Sequence, residues 1–329
     1  MHAAHYSSLL PEIFRHKTTR VRIPRPQVIL LDFHGTISER RWEDKVIYPY
    51  VRRVLSSYLQ ANWNDEVIQK CLPGLRNESF EQRFRNKFED APVISDHIDG
   101  QDEIEPSQLA NQLGDFLLWQ MSSKKETNET QLIERLVWRD GLKRRQILTP
   151  LYEDVIPSVR DWSEKYHCST YVISSLDSDT LKLLLENTNK GDLHQYLRGY
   201  VTPKRAGEKL SSEMYRQFLD SLEPGLKIGQ RVGRPGDSTR CAGKPSSPSS
   251  TLCRVPVSKP SDNWPAELSK KPVLFLTDSG QEAKAASQIN DSASFECLLV
   301  NRPGNKPLRT FYLSQFAYIE RFDDITFVD

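Results

Sequence analysis

Residues 28–36 read VILLDFHGT, in which four consecutive apolar residues lead directly to Asp32 and then, three positions on, to Gly35. A short apolar run in which half of the residues are β-branched is typical of a strand buried on both faces. Glycine is a residue type that ends such a strand in a turn. The stretch therefore predicts a buried strand that carries Asp32 at its carboxyl end.

Three further apolar runs of similar length follow, at 170–173, 273–276 and 297–300. Between and around them lie segments whose apolar residues recur at helical spacing, as in 180–186 and 211–222. Strands that alternate with helices predict a doubly wound parallel sheet, so we assign the chain to the α/β class with a Rossmann-like core.

Polar residues directly follow three of these strands: Asp32 the first, Ser174 and Ser175 the second, and Asp278 the third. Ligands of open parallel sheets bind beyond the carboxyl ends of the strands, so we expect these side chains to converge at one edge. Two neighbouring carboxylates repel each other unless a cation lies between them, and hard oxygen ligands with open positions suit Mg²⁺. A carboxylate beside this ion can attack a phosphorus atom as a nucleophile. The pattern predicts Mg²⁺-dependent phosphoryl chemistry.

Composition divides the chain into four regions. Residues 38–150 carry several amphipathic helical stripes and predict a helical domain inserted between two parts of the core, 27–37 and 151–329. Residues 1–26 are polar and basic and predict a flexible tail. Residues 223–265 hold seven of the 20 prolines and five of the 15 glycines, and therefore predict a disordered insertion within the core.

Charge, hydropathy and cysteine usage exclude several classes of protein. The 45 basic and 44 acidic residues give a net charge of +1, so we expect no nucleic-acid partner. No stretch approaches about 18 consecutive apolar residues, so we expect no membrane contact. The five cysteines are scattered and form no CxxC pair, which excludes a disulfide framework or zinc knuckle. The lack of an apolar leader predicts a cytoplasmic protein, with the nucleus as a further compartment, although the arginine-rich residues 1–26 keep mitochondrial targeting as an alternative.

Segments spread along the whole chain resemble one known family. They are VILLDFHGT at 28–36, IYPYVRRVL at 47–55, LLWQMS at 117–122, VWRDGLK at 137–143, DVIPSVRDW at 154–162, YVISS at 171–175, GEKLSSEMYRQ at 207–217, VLFLTDSGQEAKAA at 273–286 and LLVNRPGN at 298–305. On these segments the chain resembles the enolase-phosphatase (acireductone synthase) family of the haloacid-dehalogenase-like hydrolase superfamily. The similarity covers residues 27–222 and 272–326.

This resemblance implies a phosphatase whose helical domain is a cap on the core. It implies Mg²⁺ as the cofactor and 2,3-diketo-5-methylthiopentyl-1-phosphate as the substrate, which is first enolised and then dephosphorylated to the acireductone of methionine salvage. The expected partner is therefore a small-molecule phosphate ester, and the expected oligomeric state is a monomer.

The family's metal and acid–base roles transfer to three positions. Asp32 and Asp278 match the metal-binding aspartates of the first and last motifs, and Asp32 is also the catalytic carboxylate. His34 stands where the family has a glutamate that acts as acid and base and contacts the metal through its backbone carbonyl. Histidine exchanges protons near neutral pH, so we predict that His34 keeps both roles. The alternative is a relative that has lost catalysis and serves as a phosphate-ligand binding or interaction protein.

The family's substrate-binding roles transfer to the serine pair and to one lysine. Ser174 and Ser175 match the serines that bind the substrate, and Lys209 in Gly-Glu-Lys matches the phosphate-site lysine. Lys204 competes for the last role, because the loop before Lys209 is about two residues longer than is usual in the family.

Overall fold

The structure is a computed structural model that describes residues 20–95, 104–203, 207–222, 251–254 (backbone only), 273–289 and 295–328. The chain divides into two compact units. The core unit comprises Met1–Arg40, Pro150–Glu186 and Lys190–Asp329, and the helical unit comprises Arg41–Thr149 and Asn187–Asn189.

The strands of the described residues all lie in the core unit. They are β1 Val21–Pro24, β2 Val28–Asp32, β3 Ser169–Ile173, β4 Gly199–Thr202, β5 Thr251–Arg254, β6 Val273–Thr277, β7 Phe295–Val300, β8 Tyr318–Ile319 and β9 Ile325–Val328. Seven of them form one sheet in the order β5-β4-β3-β2-β6-β7-β8, and β1 pairs with β9 in a second, two-stranded sheet. Every neighbouring pair in the large sheet is parallel except β4 and β5. The predicted parallel α/β sheet is confirmed.

Helices flank this sheet and make up the helical unit. They are α1 Tyr48–Ala61, α2 Glu66–Phe80, α3 Pro106–Ser123, α4 Asn128–Lys143, α5 Val155–Glu164, α6 Ser178–Glu186, α7 Ser212–Leu222, α8 Gly280–Ser287 and α9 Thr310–Leu313. In the core unit, α5 packs against β3, α6 against β4 and α8 against β7. None of the described helices is long and apolar enough to cross a bilayer.

The sheet register brings three polar strand ends to one edge. Every residue of β2 and of β6 is buried, as expected for central strands covered by helices on both faces. Asp32 pairs with Ile173, the last residue of β3, so Ser174 lies one residue further along the strand direction than Asp32 does. Leu31 pairs with Leu276 on the other side, so Asp278 also lies just beyond Asp32 in this direction.

The helical unit is built from α1 to α4, with α1 packed against α3 and α4, and α2 against α3 and α4. Helix α2 has no counterpart in the sequence analysis. Its buried residues include Ile68, Leu72 and Leu75, which lie at helical spacing, and the Asp65 side chain accepts a hydrogen bond from the Val67 amide at its start. Charged neighbours and Pro73 within the helix obscure this pattern.

Two predictions about flexible segments are wrong in part. Within the predicted tail, β1 pairs in parallel with β9, and Ile23 is buried. Within the predicted insertion, β5 pairs antiparallel with β4 and forms one edge of the large sheet. Backbone pairing to an existing strand gives order to these short segments although they carry few apolar residues. The other residues of 223–265, and residues 1–19, lie outside the described residues.

Candidate active site

Asp32 lies at the end of β2 with its side chain only 2% exposed, and it forms an ion pair with Lys209. Nζ of Lys209 is 2.5 Å from Oδ1 of Asp32 and 3.1 Å from Oε1 of Glu282. The backbone of Lys209 is held as well, because the hydroxyl of Tyr215 on α7 donates a hydrogen bond to its carbonyl at 2.9 Å. The structure therefore brings the predicted catalytic aspartate and phosphate-site lysine together.

Glu282, in the first turn of α8, is a member of this cluster that the sequence analysis missed. Its Oε2 accepts a hydrogen bond from the Thr277 hydroxyl at 3.2 Å. Burial and the charge of Asp32 raise the pKa of Glu282, against the opposing charge of Lys209. Its position was a usable signal, because Glu282 lies in the first turn of the helix that begins two residues after Asp278.

The two carboxylates control the protonation of Lys209. Burial by itself lowers the pKa of this lysine, because it disfavours the charged form. The negative charges of Asp32 and Glu282 outweigh burial, so the pKa of Lys209 lies above its ordinary value. The lysine therefore stays cationic and can stabilise negative charge on a phosphate group.

Asp278 forms the other ion pair of the site, with Arg40. Nε of Arg40 donates to Oδ2 at 2.8 Å and Nη2 to Oδ1 at 2.5 Å, so the contact is bidentate. The Asp278 side chain is 4% exposed and that of Arg40 43%. Burial raises the pKa of Asp278 and the charge of Asp32 raises it further, whereas Arg40 opposes both. Arg40 was not predicted as a site residue.

The loop after β2 passes directly against Asp278. Gly35 has a φ of +78°, and a Cβ at this position would lie 2.2 Å from Oδ2 of Asp278. Both the backbone conformation and the close approach therefore require glycine. The Gly35 amide donates to the Ser38 carbonyl at 2.7 Å, and Nδ2 of Asn305 donates to the Gly35 carbonyl at 2.7 Å.

A buried arginine holds the same loop one residue further along. Nε of Arg302 donates to the Thr36 carbonyl at 3.0 Å. Nη1 of Arg302 lies 2.9 and 2.8 Å from the two carboxylate oxygens of Asp154. Thus two side chains of the turn 301–305 hold consecutive carbonyls of the loop that carries His34. Sequence spacing gave no sign of this support.

The remaining predicted residues occupy different surroundings. His34 is half-buried in the loop after β2, with its ring edge-on to Phe33 at 4.7 Å. Ser174 is buried, and its hydroxyl accepts from the Leu176 amide at 3.2 Å, within its own loop. Ser175 is exposed. Lys204 lies outside the described residues, so its competition with Lys209 is not tested.

The donor types at this edge suit Mg²⁺. Asp32 and Asp278 are buried carboxylates at the ends of neighbouring strands and offer hard oxygen ligands, which the ion prefers. Each is already neutralised by a basic side chain. Among the described residues, no cluster of three or more His, Cys, Asp and Glu side chains is placed to hold a metal ion. Backbone carbonyls and water molecules would therefore have to complete the coordination, as Mg²⁺ sites commonly allow.

Comparisons with known proteins identify relatives over most of the chain. No family model matches. Enolase-phosphatase E1 of Anopheles gambiae is 28% identical over 299 residues, which are 91% of this chain and 82% of that protein. Its namesake from Danio rerio is 23% identical, over 92% of this chain and 95% of that protein. The match to the Aedes aegypti relative spans only 22% of that longer protein.

The fold of the chain is shared by a solved structure. The UTR4 protein from Saccharomyces cerevisiae aligns with a TM-score of 0.54 and 19% identity over 91% of this chain and 99% of that one. The resemblance to the enolase-phosphatase family, which the sequence motifs indicate, is confirmed by the curated relatives.

Proposed function

We propose that this protein is an Mg²⁺-dependent phosphoric monoester hydrolase of the enolase-phosphatase type. The observation that carries the proposal is the buried carboxylate of Asp32 at a strand end, ion-paired with Lys209 and next to the strand that Asp278 follows. The names of the relatives support the same reaction class. The proposed substrate is 2,3-diketo-5-methylthiopentyl-1-phosphate, in methionine salvage.

In the first half-reaction Asp32 attacks the phosphorus atom of the enolised substrate. A bond forms between a carboxylate oxygen and phosphorus while the ester P–O bond breaks, and the enol oxygen leaves with the electron pair. Lys209 orients Asp32 and stabilises charge on the phosphate oxygens. Mg²⁺, held by Asp32 and Asp278, would supply positive charge that offsets the repulsion between carboxylate and phosphate.

In the second half-reaction water attacks the aspartyl phosphate. The bond between Asp32 and phosphorus breaks, phosphate leaves, and His34 accepts the proton from water. A neutral histidine serves as this base but is a weak acid in the first half-reaction. An enol needs less protonation on leaving than an alkoxide does, so the enol-forming substrate should react and simple alkyl phosphates should react poorly.

The direct experiment measures phosphate release with Mg²⁺ from the diketo phosphate and from an alkyl phosphate. We expect turnover on the first substrate and little on the second. His34→Ala should reduce turnover by about a hundredfold or more, because general acid–base catalysis contributes this much. Asp32→Asn, which keeps the shape of the side chain, should abolish it. Equal release by wild type and Asp32→Asn would contradict the proposal.

A second candidate function is binding of a phosphate ligand, or an interaction, without turnover. Two points favour it: the resemblance implies an acid–base glutamate at the position of His34, and Arg40 occupies both oxygens of Asp278. The variant His34→Glu separates the two functions. If wild type and His34→Ala are equally inert while His34→Glu gains activity, the second function is correct.

The proposal also covers the oligomeric state, the compartment and the partner of the protein. We propose that it acts as a monomer in the cytoplasm and also in the nucleus, with a small phosphate ester as its partner. Light scattering coupled to gel filtration tests the monomer, and imaging of the tagged full chain tests the compartment.

A further inference from the structure

Arg40 is the one cation that the described residues place on Asp278, and it holds both oxygens of that carboxylate. We propose that Arg40 is a built-in competitor of Mg²⁺, so that the guanidinium and the metal ion hold Asp278 alternately. This inference rests on the metal site of the proposed function and names a regulatory contact within it.

The two side chains differ in a way that permits exchange. Asp278 is 4% exposed, whereas Arg40 is 43% exposed and lies in a turn after β2 rather than in a helix or strand. Arg40 therefore keeps much of its hydration while paired, and it can return to water at low cost. Asp278 has no such freedom, because the packing of the loop at Gly35 fixes its position.

Electrostatics makes the two cations mutually exclusive at this carboxylate. The guanidinium charge lies within hydrogen-bond distance of both oxygens, and it would repel a divalent cation approaching the same atoms. A carboxylate as buried as Asp278 still requires a counter-ion when charged, because burial and Asp32 both disfavour its negative charge. Arg40 supplies this counter-ion when the metal is absent.

The other ion pair of the site does not take part in the exchange. Lys209 is held by Asp32 and Glu282 together and is only 17% exposed. Metal binding at Asp278 would therefore release Arg40 and leave the lysine in place. The free guanidinium would then remain close to the site with its charge unpaired.

The chain supplies a matched control in the next residue. Arg41 pairs with Asp44 at 2.8 Å, and both side chains are well exposed, at 75% and 49%. Arg40→Gln and Arg41→Gln remove the same charge from adjacent positions. They differ in whether the arginine contacts the metal-site carboxylate.

The experiment is a calorimetric titration of the full chain with MgCl₂ at constant ionic strength, without substrate. We expect Arg40→Gln to bind Mg²⁺ about tenfold more tightly than wild type, the gain expected from removing one competing ion pair. Arg41→Gln should bind as wild type does. In the absence of Mg²⁺, Arg40→Gln should melt at a lower temperature than wild type, and added Mg²⁺ should close this gap.

Three results would overturn the proposal. Arg40→Gln could bind Mg²⁺ no more tightly than wild type, or both glutamine variants could gain affinity equally, which would be a general charge effect. Alternatively, Asp278→Asn could retain the full Mg²⁺ response, which would place the metal elsewhere. Loss of phosphate release in every variant, with the affinity difference intact, would contradict the proposed function and leave the competition standing.

Discussion

Two arginine–aspartate pairs of the core unit illustrate opposite uses of one interaction. The side chains of Arg302 and Asp154 are each 2% exposed. The pair of Arg40 and Asp278 joins a side chain that is 43% exposed to one that is 4% exposed. When both side chains of an ion pair are buried, groups of the protein must compensate both charges. A side chain that reaches solvent can instead leave its partner and be hydrated. Burial therefore separates a fixed structural contact from an exchangeable one.

The surroundings of Arg302 show how firmly the fixed pair is held, although Nη2 of the guanidinium has no hydrogen-bond partner among the described residues. Beyond Asp154, Nη1 donates to the Glu320 carbonyl at 2.9 Å, and the guanidinium lies over the rings of Tyr152 and Phe322 at 4.5 and 4.6 Å. Burial lowers the pKa of Arg302, and the charge of Asp154 opposes that shift. The arginine thus joins the loop after β2 to two other segments of the core unit.

The largest effect is expected where this buried pair is broken. Arg302→Ala leaves the Asp154 carboxylate uncompensated and should lower the free energy of unfolding by about 3–5 kcal/mol. Urea unfolding measures the loss. Arg321→Ala, which removes an exposed pair with Asp323, is the matched control and should cost at most about 1 kcal/mol. If Arg302→Ala lowers the free energy of unfolding no more than Arg321→Ala does, burial of the pair of Arg302 and Asp154 does not contribute to stability.

Long-range contacts of this kind mark the limit of what the sequence could predict. The strands β2 and β6 were predictable because a short apolar run buried on both faces is a local pattern. The contacts that build the site join residues far apart: Arg40 and Asp278 are separated by 238 positions, and Arg302 and Thr36 by 266. No local spacing encodes such contacts, since they depend on the order of strands in the sheet.

Other omissions have local causes. Strand β1 is only four residues long, and it owes its order to pairing with β9 at the far end of the chain. The apolar stripe of α2 was present but diluted by charged residues. Glu282 could have been predicted as a site residue, because it lies in the first turn of the helix that begins two residues after Asp278. The sequence thus revealed the strand ends but not which cation neutralises each carboxylate.

An intermediate effect is expected for a buried carboxyl that forms no ion pair among the described residues. Glu134 in the helical unit is 7% exposed, and its Oε1 accepts no hydrogen bond among the described residues. Burial and the charge of Glu126 raise its pKa to about 7, while Arg52 opposes them. Because the folded-state pKa lies above the unfolded value, the proton is bound more tightly in the folded state. Stability is therefore highest below the unfolded pKa and is lost as pH rises through about 7.

The variant Glu134→Gln should remove this loss. It should stabilise the protein at pH 8 by up to about 3 kcal/mol relative to wild type, and by much less at pH 5. Thermal melts of both proteins across this range give the measurement. Glu66→Gln, at a side chain that is 80% exposed, should show the same pH profile as wild type. A pH-independent difference for Glu134→Gln would indicate that this carboxyl titrates normally.

The smallest effect is expected for the exchangeable pair, and it should depend on salt. In the absence of metal, Arg40→Gln should lower the free energy of unfolding by about 1–2 kcal/mol, because the buried Asp278 loses its counter-ion but the half-exposed position of the guanidinium is open to water. Raising NaCl from about 0.05 to about 0.5 M should shrink this difference, since mobile ions screen charges that reach solvent. The loss caused by Arg302→Ala should persist, because screening of a fully buried pair is much weaker. Urea unfolding of both variants at the two salt concentrations tests the distinction, and an equal response to salt would show that both pairs are equally fixed.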